Sequence, residues 1–100
     1  MGTLHVLSHS PFSDGRLASC LRLLAPGDAL LLTGDAVYAL AADTAQRQAL
    51  ELMPDSVALF ALDEDLQARA VVALPARLTA VDYSGFVELC ARYARVNSWL

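Results

Sequence analysis

Four short apolar runs, each followed by a stretch with helical spacing, constrain this chain more than any other feature. The runs are Leu4–Leu7, Ala29–Thr33, Val57–Leu62 and Leu78–Val81. Each is shorter than an ordinary helix and is bounded by Gly, Pro, Ser or Asp. Ala29-Leu30-Leu31-Leu32 is apolar at consecutive positions, so both of its faces need cover, as in a parallel sheet. Strand and helix alternating in this way predict an α/β fold, a three-layer domain with a mostly parallel sheet and helices on both faces. One hundred residues hold one such domain, spanning 1–100, and no linker, repeat or low-complexity segment divides it.

The helical stretches read as follows. Asp14 is expected to open the first by capping free N–H groups, and Leu17, Cys20, Leu21 and Leu24 fall on one stripe. Pro26-Gly27-Asp28 ends it. Ala36–Ala41 reads as a short helix behind Asp35. Asp43 is expected to open the next, with Gln46 three residues on as in a capping box. Asp63-Glu64-Asp65 places three carboxylates in the first turn of a helix running to Ala70, where the dipole favours them. Asp82 or Ser84 caps the last helix, whose inward stripe is Phe86, Cys90 and Tyr93. The chain ends in the tail Asn97-Ser98-Trp99-Leu100. Its Trp99 either folds back onto the core or docks into a partner, and the residues leave both open.

Composition excludes several classes. With 56% hydrophobic and 18% charged residues the chain is not disordered, and its spare apolar surface predicts assembly with other chains. The net charge is -4 and all seven basic residues are Arg, so direct binding of nucleic acid is not expected. Two cysteines without C-x-x-C spacing do not make a disulfide framework. No signal peptide and no apolar run of about 18–20 residues is present, which predicts a cytoplasmic protein without a membrane span.

Chemistry-bearing motifs are few. There is no G-x-G-x-x-G and no phosphate loop, so no cofactor is expected. His5 and His9 are four apart but lie in a strand and a turn, which does not make a metal site. The carboxyl ends of the predicted strands carry His9 and Ser10, Asp35, Asp63 and Asp82, the region where open α/β sheets bind ligands. Each Asp precedes a helix and reads as a cap, and no G-x-S-x-G turn supports a Ser–His–Asp triad. Cys20 is the one residue that invites a chemical role. Its stripe of leucines argues for a small core hydrophobe, whereas Arg16 one turn earlier would favour a thiolate if the sulfur were exposed. Cys90, between Phe86 and Tyr93, reads as core.

Several blocks, in order along nearly the whole chain, resemble the TusB/DsrH family. Leu4-His5-Val6-Leu7-Ser8-His9-Ser10-Pro11-Phe12 resembles its LHxLxxSP[FW] opening. Gly27–Leu32 with Gly34–Ala39 resembles its GDxLLLxxDGVYA block, with Gly34-Asp35-Ala36 in place of the usual Asp-Gly order. Leu62–Arg69 resembles LxEDLxAR, Asp82–Val87 resembles DYxxFVxL, and Ser98-Trp99-Leu100 resembles the terminal xWL. The resemblance implies a flavodoxin-like domain of the DsrE/DsrF/DsrH kind. It implies a largely non-catalytic, accessory subunit of a sulfurtransferase complex with TusC-like and TusD-like paralogues, arranged as a dimer of heterotrimers. That complex takes persulfide sulfur from a TusA-like carrier and passes it by a TusE-like one toward 2-thiolation of the tRNA wobble uridine. In the family the main acceptor cysteine is on the TusD-like subunit. Cys20 matches a cysteine of DsrH-type members, which opens an alternative in which this chain carries sulfur on Cys20 within a DsrEFH-like complex of sulfur oxidation. A third reading, from fold analogy alone, is a stand-alone binder of a small ligand.

Overall fold

The structure, a computed structural model, describes residues 2–99. Five parallel strands form one sheet: β1 (Thr3–Leu7), β2 (Ala29–Leu32), β3 (Ala58–Leu62), β4 (Leu78–Val81) and β5 (Arg95–Trp99). The helices are α1 (Arg16–Leu23), a 3-10 helix (Gly34–Leu40), α2 (Ala45–Glu51), α3 (Asp63–Ala68) and α4 (Tyr83–Arg92). The strand order is β4-β3-β2-β1-β5. The architecture is the three-layer parallel one that the sequence predicts, although this order is not the 2-1-3-4-5 of flavodoxin itself.

The order explains the layers. From β1 to β4 the chain steps to the next strand each time, and right-handed crossovers put α1, the 3-10 helix, α2 and α3 on one face. From β4 it returns past three strands to β5, so α4 lies on the other face. The first face packs Leu7, Leu30, Leu32, Leu59 and Ala61 against Leu17, Cys20, Val37, Leu40, Leu50 and Leu66. The second packs Leu4, Ala29 and Leu31 against Leu89, with Phe86, Cys90 and Tyr93 beside them. All four residues of β2 are buried, as consecutive apolar positions require of a central parallel strand.

Several expectations need correction. The sequence predicts four strands and the structure has a fifth: Arg95–Trp99 pair with Thr3–Leu7 as β5. Its residues are polar because four of the five are exposed on the sheet's edge, where no apolar pattern is needed. Asp43 is not a helix cap. It sits in the left-handed region at φ 63, and Thr44 caps α2 by accepting from the Arg47 N–H at 3.2 Å. Asp14 accepts from the Arg16 N–H at 2.8 Å, but the helix begins one residue after Gly15, and the first run of apolar residues toward Ala41 forms a 3-10 rather than an α-helix. Asp82, not Ser84, caps α4, accepting from the Gly85 N–H at 2.8 Å.

Arg77, just before β4, fixes a junction that the sequence gives no sign of. Its guanidinium donates to the carbonyls of Leu50, Glu51, Met53, Pro54 and Val57 at 2.6–3.3 Å. These are the carbonyls at and beyond the end of α2, where the helix dipole is negative and the chain turns toward β3.

Candidate functional site

The polar side chains at the carboxyl ends of the strands make local contacts. His9 is exposed, and its Nδ1 lies 3.5 Å from the Ser8 hydroxyl. The Ser10 hydroxyl accepts from the Phe12 N–H at 3.3 Å and so serves the turn. Asp35 pairs with Arg69 at 2.9 Å, Asp65 accepts from the Gly34 N–H at 2.8 Å, and Asp63 accepts from Gln67 at 2.7 Å. Asp35 and Asp65 thus tie the 3-10 helix to α3 and the residue after it, while the Asp63 bond lies within α3. Among the described residues no three His, Cys, Asp or Glu side chains are placed to share a metal ion.

Cys20 lies in the first-face core with 0% exposure. Burial, and then the nearby negative charge of Asp28, pushes its pKa up to about 12. At pH 8 that leaves on the order of one thiolate in ten thousand, so in this conformation the sulfur is a core thiol and not a nucleophile. The Arg16 guanidinium pairs with Asp14. Cys90, on α4, is half-buried and packs against the second-face cluster.

A buried polar network surrounds Asp28 and His5. Asp28 precedes β2 at the amino end of the sheet. Its Oδ1 accepts from the Thr3 N–H at 2.9 Å, and its Oδ2 accepts from the Ala25 N–H at 3.0 Å and faces His5 Nε2 at 3.3 Å. Burial would raise its pKa, but the N–H groups of Thr3 and Ala25 and the His5 ring outweigh it and hold the carboxyl below its ordinary value. Gly2 makes room for this arrangement. At φ +94 its backbone passes so close to Gly27 that a Cβ would stand 2.5 Å from the Gly27 carbonyl oxygen. On the other side of the ring, Trp99 donates its indole N–H to His5 Nδ1 at 3.1 Å. Of the two fates left open for Trp99, the structure has it folded back: it packs, half-buried, against the first-face core. Sequence reading places His5 in a strand. It misses Asp28 as the partner because Pro26-Gly27-Asp28 has the composition of a turn.

Two grooves of about 390 and 200 Å³ share Leu21 and Ala49 and together follow the seam between α1 and α2. Leu24, Met53 and Leu17 line them further, and Asp14 is their one charged residue. Leu52 and Val72 are each 84% exposed, and Leu23, Val87, Tyr83 and Phe12 all lie more than half open. No helix among the described residues is long and apolar enough to cross a membrane.

The family pattern described as DsrH like protein matches residues 9–96. The chain belongs to the DsrH family. Among curated relatives, Protein TusB of Erwinia tasmaniensis is 40% identical over 97 residues, covering 96% of this chain and 99% of that one. Protein TusB of Serratia proteamaculans is 38% identical over the same coverage. Protein TusB of Escherichia coli O81 is 34% identical, again over 96% and 99% of the two chains. In three dimensions this DsrH-family chain is similar to the ychN protein from E. coli, with a TM-score of 0.80 at 18% identity over 99% of this chain and 100% of that one. It is also similar to MTH1491 from Methanobacterium thermoautotrophicum, with a TM-score of 0.69 at 15% identity over 95% and 96%. At these identities the two structures speak for the fold alone.

Proposed function

We propose that this chain is the TusB-type structural subunit of a sulfur-relay complex that delivers persulfide sulfur toward 2-thiolation of the tRNA wobble uridine. Its partners are a TusC-like and a TusD-like chain in a dimer of heterotrimers, located in the cytoplasm, with TusA-like and TusE-like carriers acting before and after. The observation that carries this reading is the 34–40% identity to TusB proteins along nearly the whole chain. The exposed Leu52, Val72 and Val87 support it, since a monomer gains nothing by wetting them. The net charge of -4 supports a subunit that touches other proteins and leaves the tRNA to them. In such a relay an acceptor thiolate attacks the terminal sulfur of a persulfide, the sulfur–sulfur bond breaks, and the donor leaves as a thiolate. The burial of Cys20 supports placing that acceptor on a sister chain, and it weighs against the alternative in which Cys20 itself carries the sulfur.

The test is a tagged purification from the native cell followed by sulfur loading with a cysteine desulfurase, its TusA-like carrier and cysteine. Two homologous small chains should co-purify, and mass spectrometry should find the added sulfur on one of them and not on Cys20. A chain that elutes alone contradicts the subunit reading. A sulfur adduct on this chain that Cys20→Ser abolishes contradicts the accessory role and establishes the carrier alternative.

A further inference from the structure

β5 is an edge strand with only β1 beside it. Arg95, Val96, Asn97 and Ser98 are exposed, and Trp99 alone sends a half-buried side chain into the core. That side chain ends on His5, with the ring centroids 6.1 Å apart and the planes tilted by 45°. An indole nitrogen carries a hydrogen and accepts nothing. His5 Nδ1, 3.1 Å from it, is therefore bare, and the ring hydrogen is on Nε2, directed at Asp28. The network assigns this tautomer.

We propose that Asp28, His5 and Trp99 form a proton-operated latch that holds β5 against β1. A proton added at Nδ1 sets one N–H against another, and neither can accept. One ring has to move. His5 lies in the middle of β1, is 5% exposed and is retained by Asp28, so the displacement falls on Trp99 at the open edge. The groups around His5 permit the step. Asp28 faces it from the start of β2 with its carboxylate 3.3 Å from Nε2. Asn97 of β5 lies opposite in register and has no charge. Cys20 of α1, whose neighbour is Asp28, stays an uncharged thiol.

Amide hydrogen exchange of the full chain between pH 8 and pH 5, corrected for the intrinsic pH dependence of exchange, tests the latch. Asp28 stays ionised across this window, because its pKa is held below the ordinary carboxylate value. Protection of the β5 amides should fall about tenfold relative to those of β2, the value of one hydrogen bond. The emission of Trp99, the single tryptophan, should shift to the red over the same range. Trp99→Phe has no N–H to oppose the proton, so its β5 protection should start lower and show no such fall. An unchanged ratio of β5 to β2 protection in the wild-type chain overturns the proposal, whatever the variant does. So does an equal fall in Trp99→Phe.

Discussion

Asp28→Ala is expected to lower the stability of the fold by about 3–5 kcal/mol, the range for removing one partner from a buried, hydrogen-bonded charge site. The carboxylate joins three segments that meet at the amino end of the sheet. It accepts from Thr3 at the entry to β1, from Ala25 in the turn after α1, and from the His5 ring in β1. Alanine leaves two backbone N–H groups and an imidazole N–H facing a dry pocket, and each unsatisfied donor costs about 1–3 kcal/mol. Asp28→Asn keeps one acceptor oxygen and should lose roughly half as much. Urea unfolding at pH 7 measures both. A loss below about 1 kcal/mol for alanine would show that water replaces the carboxylate freely.

The same residue sets part of the acid response. Its folded pKa is lowered, so the unfolded chain takes up the proton more readily as the pH drops. Its stabilisation is complete above the ordinary carboxylate pKa of about 4 and is lost as the pH falls through the lower folded value. In Asp28→Asn that part of the acid sensitivity should vanish.

Arg77→Ala is expected to cost about 2–3 kcal/mol, because one charged fork serves five carbonyls, of which, among the described residues, only those of Leu50 and Pro54 also accept a backbone N–H. The contacts to Met53 at 2.6 Å and to Pro54 and Val57 at 2.9 Å are the closest. They bind the loop before β4 to the turn between α2 and β3, so the variant should also expose residues 52–57 to limited proteolysis. Arg77→Lys should recover little, since a single ammonium cannot span five oxygens held by a planar fork. Equal midpoints for the lysine variant and the wild type in urea would show that charge alone, and not the fork, accounts for the contribution.

The parts of this fold legible in the sequence are those governed by local pattern. The consecutive leucines of β2 announce a central strand, and the Leu17–Cys20–Leu21 stripe announces a helix on the core. Asp82 announces a cap. The rest depends on partners distant along the chain. Arg95–Trp99 lacks an apolar alternation because an edge strand next to solvent has no need of one, and its pairing with Thr3–Leu7 is written in neither segment. His5 and Trp99 are 94 positions apart, and only the return of the chain across three strands brings them together. Cys20 shows the limit most plainly. Spacing puts it on a helical stripe with leucines, and family resemblance puts it where a sulfur carrier has its thiol. The choice between the two turns on depth of burial, which follows from how α1 settles on the sheet.

The most direct measurement is the amount of 2-thiouridine in total tRNA from the native bacterium with and without this chain. Deleting it should deplete the modified nucleoside, and both the wild-type gene and Cys20→Ser should restore it. Unchanged 2-thiouridine in the deletion strain would contradict the relay to tRNA, and restoration by the wild type but not by Cys20→Ser would contradict the structural role.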